Sequence, residues 1–304
     1  MKPWILPLLP GFFALCVAMV SYAAPMDKTF GFMVIGERSS SDDGKLIETI
    51  KDAGHKQTSF IVVNGIRPQN ESCSDSLYQR RKKLLDEAEK PLIVTLSARD
   101  WAECKNENGE SSAQERLNYL RSMLLDDGQV AQAKKIQLVR QSSTVKFRNY
   151  SENIRWESRG VLFSTINLPA NNNNYLAAAG RNNEFEDRLI ANRNWLQRVF
   201  THARSSKMKG IVLFVDGNPL ATPARSNRTE RRDGFIEVRK QLIGLAAKFP
   251  GKVLLIHGQP SSSNIVWRDN LGVVGAGSAS VEFTVHPGSS GLFTFRYNKT
   301  FIRK

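Results

Sequence analysis

The stretch FIVVNGIRPQNESCSD, residues 60–75, decides how the chain is read. Four apolar residues run into Asn64-Gly65 and then into a polar segment carrying Cys73. The apolar run has the length and β-branched content of a buried strand, and Asn-Gly marks its end as a turn. In open α/β sheets, the loops at the carboxyl ends of strands are where ligands bind. A catalytic loop at that place offers a carboxylate or an imidazole. This one offers an amide and a glycine.

Outward from this strand, the chain alternates strands and helices. TFGFMVIG (29–36) is an apolar run closed by glycine, and Asp42-Asp43 then precede Leu46, Ile47, Ile50 and Ala53 on one helical face. The acidic pair suits a helix N-terminus, where the dipole favours negative charge. Ser74 is placed to cap the helix after the second strand, and PLIVTLS (91–97) reads as the third strand. Ser112-Ala-Gln-Glu115 has the form of a capping box ahead of Leu117, Leu120, Leu124 and Leu125. A further strand is expected at 160–168, a strand then a turn over 210–219 and a strand then a loop over 252–263, with helices over about 183–205 and 229–249. Two or three antiparallel strands are expected over 272–297, and short strands between 128 and 160. The pattern is α/β, with buried strands and helices on both faces. No linker divides residues 24–304, so a single domain is expected there.

Residues 1–23 have the form of an export signal: Lys2, an apolar stretch over 4–20, and Ser21-Tyr22-Ala23 as the cleavage site. Prolines 3, 7 and 10 and the short apolar core argue against a retained membrane span. The expected location is periplasmic or secreted. Beyond the leader the chain keeps Cys73 and Cys104. In an exported protein two cysteines favour one disulfide, the alternative being two unrelated thiols. The bridge would close a loop of about 30 residues, worth roughly 3–4 kcal/mol in the chain-entropy model.

The formal net charge is +14. This favours anionic partners, a phosphate-bearing ligand or an anionic envelope polymer, and export makes nucleic acid the least expected of them. The sequence does not set the oligomeric state. The basic runs RRKK (80–83) and ARSNRTERR (224–232) read as solvated faces or, through Arg80 and Arg81, as a surface for an anionic polymer. No dinucleotide fingerprint, P-loop or nucleophile elbow occurs. The four histidines, His55, His202, His257 and His286, show no zinc spacing, and His257 is notable for ending a strand.

Several stretches together resemble an exported bacterial branch of the calcineurin-like metallophosphoesterases. They are FIVVNGIRPQNESCSD, PLIVTLSARDWAEC, QERLNYLRSML, YSENIRWESRGVLFSTINLPANNNN, RLIANRNWL, GIVLFVDGNP and VLLIHGQP, co-linear from about residue 29 to 297. The resemblance implies a four-layer α-β-β-α sandwich. It also implies two metal ions, manganese, iron or zinc, that bind phosphate oxygens and generate a hydroxide. The family's metal motifs are eroded here. Its Asp-x-His becomes Glu37-Arg38-Ser39, and its Gly-Asp becomes Asn64-Gly65, with glycine in place of the bridging aspartate. Its Gly-Asn-His-Asp/Glu becomes Ser97-Ala98-Arg99-Asp100, and its fourth-motif histidine falls at or next to Asp216. Its Gly-His-x-His becomes Gly258-Gln259-Pro260-Ser261.

The resemblance therefore implies a pseudoenzyme that needs no cofactor. Glu37, Asp100 and Asp216 are its remaining metal-ligand candidates. Arg38, Arg67 and Arg99, with the amides of Asn171, Asn172, Asn173 and Asn174, are candidates for holding an anionic ligand. The alternative is an active phosphoesterase with a rearranged or mononuclear metal site, using Glu37, Asn64, Asp100, Asp216, His257 and Gln259.

Overall fold

The computed structural model describes residues 28–36, 42–55, 58–126, 135–176, 182–221, 232–260 and 264–297. Residues 1–23, expected to be an export signal, and Glu37, Arg38, Ser39 and Ser261 lie outside the described residues. Among those described, the chain forms a mixed α/β structure with five α-helices and two sheets, of five and seven strands.

The first sheet runs β12-β11-β1-β2-β3, from β1 (Phe30–Ile35), β2 (Thr58–Asn64), β3 (Leu92–Thr95), β11 (Ser280–Val285) and β12 (Phe293–Tyr297). β1, β2 and β3 are parallel, so the loops that follow them share one edge. The second sheet runs β4-β5-β6-β7-β8-β10-β9. Its strands are β4 (Val139–Arg140), β5 (Ile154–Ser158), β6 (Val161–Thr165), β7 (Gly210–Val215), β8 (Lys252–His257), β9 (Val266–Arg268) and β10 (Leu271–Gly275).

The strand sequences are continuously apolar because both faces are covered. From β1 and β2, Phe32, Val34, Phe60 and Val62 join an apolar cluster shared by the two sheets. The alternate residues Met33, Ile35, Ile61 and Val63 pack with α1 (Asp43–His55), α2 (Asp75–Asp86) and α3 (Ala113–Leu120). On the second sheet, Leu213, Val215 and Leu255 pack with α4 (Asn183–Ser205) and α5 (Ile236–Ala247). Between the sheets Phe32 stacks on Phe60 and Phe283, with ring centroids 5.2 and 4.9 Å away. It also meets the edges or faces of Phe163 and Phe214 from the facing sheet.

Local signals hold unevenly. The Ser74 side chain accepts the Leu77 N–H at 3.3 Å and caps α2. Ser112 makes no side-chain cap bond, so the capping box expected at 112–115 is not formed, and α3 runs into a π-helical turn at Arg121–Leu125. The tail also departs from simple antiparallel pairing. β10 lies parallel to β8, and the chain then crosses to the other sheet, where β11 and β12 pair antiparallel. Arg81 is fully buried and paired with Glu71 at 2.6 Å and with Asp43, so it offers no surface charge.

Cys73 and Cys104 form a disulfide that ties the loop after β2 to the segment after β3. The Cys104→Ser variant should lose roughly 3–4 kcal/mol in denaturant unfolding. A loss below about 1 kcal/mol would mean that the loops are held without the bridge. Among the described residues, no helix is long and apolar enough to cross a membrane.

Candidate functional site

The loops after β2, β3, β7 and β8 converge on one edge, where buried polar side chains replace the apolar pattern of the strands. Asn64 ends β2 and is buried. Its Oδ1 accepts from Thr95 Oγ1 at 2.8 Å, and its Nδ2 donates to Asp216 Oδ1 at 3.4 Å. The residue after it, Gly65, has φ +76°, which favours glycine. A Cβ there would lie 2.7 Å from Ser97 Oγ.

Asp100 sits in a 3-10 turn over Ala98–Asp100 and has no exposed surface. Its Oδ1 accepts the N–H groups of Ile66 and Arg67, each at 2.9 Å, and its Oδ2 accepts that of Ser97 at 2.8 Å. Its own carbonyl accepts from the Tyr78 hydroxyl at 2.7 Å. The carboxylate is thus the clasp that closes the Gly65–Arg67 loop onto the turn after β3. Burial raises its pKa, and the three N–H donors oppose that.

Asp216 follows β7 and is also buried. Its Oδ2 accepts the N–H of Ala98 at 2.7 Å and that of Ala170 at 2.8 Å. It therefore fastens the ends of β2, β3 and β6 to that of β7. Burial pushes its pKa up to about 6, against the lowering effect of the two N–H donors. Gly258 presses on this pair: a Cβ there would lie 1.9 Å from Asn64 Nδ2 and 2.8 Å from Asp216 Oδ1. His257 closes β8 and is buried, and among the described residues its ring nitrogens make no hydrogen bond with a side chain. Burial pushes its pKa down to about 4, while the nearby backbone of Gln259 opposes the shift. His257 and Gln259 border an open cavity of about 390 Å³ beside this edge.

The two titrations act in opposite directions. Asp216 has a native pKa near 6 against 3.8 unfolded. Its contribution to stability is therefore fully present below pH 3.8 and lost as pH rises through 6. For His257, about 4 against 6.5, the contribution is present above pH 6.5 and lost as pH falls through 4. Each amounts to about 3 kcal/mol. Relative to wild type, Asp216→Asn should lose stability between pH 6.5 and 4, and His257→Gln should gain it. Urea titrations across that range would contradict this if both variants tracked wild type.

The basic and amide candidates are engaged within the fold. Arg67 is buried; its Nε donates to the Arg99 carbonyl, and its Nη1 to the carbonyls of Glu71 and Pro68. Arg99 is half-buried on the same turn. Asn172, Asn173 and Asn174 all adopt left-handed φ near +55° (55°, 55° and 53°), a conformation that asparagine tolerates better than most residues. Asn172 and Asn173 bond to the Arg232–Gly234 backbone, and Asn174 donates to Glu184 at 2.8 Å. Arg188, fully buried, donates to both the side chain and the carbonyl of Asn173. Asn171 donates to Asn174. Asn173 and Asn174 are buried in this turn, while Asn172 borders the 390 Å³ cavity.

The structure thus brings together Asn64, Gly65, Ala98, Asp100, Asp216 and His257. It adds Thr95 and Ala170, whose roles are a hydroxyl and a backbone N–H that no sequence motif marks. Among the described residues, no group of three or more His, Cys, Asp or Glu side chains is arranged to hold a metal ion.

No protein-family model and no curated protein matches the chain. Solved structures that it is similar to include TT1561 of Thermus thermophilus, at 10% identity and TM-score 0.48, with 89% of this chain and 99% of that one covered. A second is a protein described as a "Putative 5'-Nucleotidase" from Staphylococcus aureus in complex with alpha-ketoglutarate, at 11% identity and TM-score 0.49. Its alignment covers 89% of this chain and 53% of that chain, so this chain spans about half its length.

Proposed function

We propose that this is an exported protein with the four-layer α-β-β-α sandwich of the calcineurin-like metallophosphoesterases, that it has lost two-metal catalysis, and that it acts as a binding module for an anionic ligand. The fold part is supported by the co-linear sequence resemblance and by three apolar clusters, one between the sheets and one under the helices of each. The disulfide is compatible with export.

The observation that carries the loss of catalysis is how the surviving carboxylates are spent. Asp100 accepts three backbone N–H groups and Asp216 accepts two. These bonds take three of the roughly four lone-pair sites of Asp100 and both of those on Asp216 Oδ2, so a metal ion would compete with the backbone for the carboxylates. The position of the bridging aspartate is Gly65, whose φ of +76° strains any side chain and whose Cβ would press on the Ser97 side chain. This donor set does not fit a dinuclear centre. The ligand half of the proposal is supported by the net charge of +14.

One observation favours the alternative of a mononuclear enzyme: the imidazole of His257 is buried at the edge of the 390 Å³ cavity and bonded to no side chain among the described residues. Hydrolysis of p-nitrophenyl phosphate and bis(p-nitrophenyl) phosphate with manganese, zinc or iron separates the two. Rates equal to buffer are expected. Metal-dependent turnover that Glu37→Ala abolishes would overturn the proposal.

Restoring the lost aspartate should not restore a metal site. At φ +76° and 2.7 Å from Ser97 Oγ, the Cβ of Gly65→Asp strains the loop. The variant should melt lower than wild type without binding manganese. A gain of bound metal would contradict this.

A further inference from the structure

We propose that the 390 Å³ cavity beside the strand edge binds an uncharged, hydroxyl-rich small molecule of the sugar class. The inference goes beyond the anionic ligand proposed above and does not rest on it. The cavity lies outside the carboxyl ends of β6, β7 and β8, where open α/β sheets bind their ligands. Its volume is that of a small-molecule site.

The cavity is balanced in charge. Among the described residues its lining holds one acid and one base, Asp233 and Arg239, and they pair with each other at 2.5 Å. Arg239 also donates to the carbonyls of Pro219 at 2.5 Å and of Ala221 at 3.0 Å. α5 starts at the same place, and a helix N-terminus favours an anion. Here that end is already served: Asp233 Oδ1 accepts the Phe235 N–H at 2.9 Å, and Glu237 stands in the first turn. Both sources of positive potential are thus met by Asp233. A charged ligand would enter without a counter-charge, whereas a neutral one has no charge to desolvate.

What remains for a ligand is amide. Among the described residues, the half-buried Gln259 side chain has no hydrogen-bond partner, and Asn218 uses only its Oδ1, which accepts the Leu220 N–H at 2.9 Å. Asn172, by contrast, uses both ends of its amide on Arg232 and Gly234. A carboxamide both donates and accepts, and so does a hydroxyl, so one amide can hold two neighbouring hydroxyls. The His257 imidazole beside them is uncharged at neutral pH, burial having pushed its pKa down to about 4.

The walls favour a puckered ring over a flat one. Ala170, Ala221 and Pro260 present apolar surface against which the C–H face of a sugar can lie. Among the described residues, Phe235 is the one aromatic side chain of the lining. It is 9% exposed and belongs to the apolar cluster under α4 and α5, so it offers little face on which a planar base could stack.

Calorimetric titration of the purified protein with glucose, galactose, mannose, N-acetylglucosamine and maltose tests the site, with adenine as a planar base and tripolyphosphate as an anion. At least one sugar should bind. Gln259→Ala should weaken it about fivefold or more, the effect of losing one or two neutral hydrogen bonds. Ala221→Tyr, which adds a ring to the lining, should weaken it at least as much. Gln197→Ala, exposed on α4 and outside the lining, should stay within about twofold. Melting curves check that each variant is folded.

No binding of any of these sugars would overturn the proposal. Equal losses in Gln197→Ala and Gln259→Ala would place the sugar elsewhere and overturn the site. Adenine binding more tightly than every sugar would overturn the ligand class. Tripolyphosphate reports on the anionic reading separately: its binding without any sugar would overturn this site alone, and sugar binding without it would overturn only the anionic reading.

Discussion

Asp100→Ala should cost about 3–6 kcal/mol of folding stability, enough to bring a typical domain near its unfolding threshold. The substitution strands the N–H groups of Ile66, Arg67 and Ser97 in a buried loop. Each unpaired buried donor costs about 1–3 kcal/mol, partly relieved if water enters. Asp100→Asn keeps one acceptor oxygen and should lose only about 1–3 kcal/mol. The gradation separates a clasp from a metal ligand. A ligand carboxylate can be truncated with little loss of apo-protein stability, whereas this one cannot. Urea unfolding of the two variants reads the difference, and an Asp100→Ala loss below about 1 kcal/mol would refute the clasp.

The second large effect lies between the sheets. Phe32 is fully buried, stacked between Phe60 and Phe283 and abutted by Phe163 and Phe214 from the facing sheet. Phe32→Ala should cost about 3–5 kcal/mol through lost burial and the cavity left behind. The ring contacts add to this, because aromatic pairs contribute beyond their area. Phe32→Leu keeps most of the volume and should cost less than half as much. Near-equal losses in the two variants would place the cost in the ring geometry rather than in the void.

Much of this architecture can be read along the chain where the cause is local. The strand-helix alternation, the Ser74 cap and the shared edge of the loops after β1, β2 and β3 follow from apolar periodicity and parallel pairing. The disulfide is the pairing favoured for the only two cysteines after residue 23. The features that could not be read depend on partners far away in sequence. Asp216 finds Asn64, Ala98 and Ala170. The arginines of RRKK look like surface charge, yet Arg81 is buried because Glu71, Asp43 and a backbone carbonyl meet it. The Asn171–Asn174 run looks like a solvated loop until its left-handed turn and its bonds to Arg188 and Gly234 are seen.

The candidate site follows the same division. Its residues could be named because each ends a strand or lies in the loop that follows one, but their use could not. In the fold Asn64-Gly65 is the point where Asp100 and Asp216 fasten neighbouring strand ends. Polar residues that could coordinate a cation instead satisfy the backbone of an edge that would otherwise bury unpaired N–H groups. The cavity beside this edge escaped notice because its lining is scattered over 170–260 and is gathered only by the pairing of β6, β7 and β8.

The most direct test of the central claim is metal stoichiometry by elemental analysis after incubation with manganese, zinc or iron and desalting. The account predicts well under one metal ion per chain with each metal. Two per chain, lost on Asp216→Ala in a variant that stays folded, would show that these carboxylates serve a dinuclear centre and would contradict it.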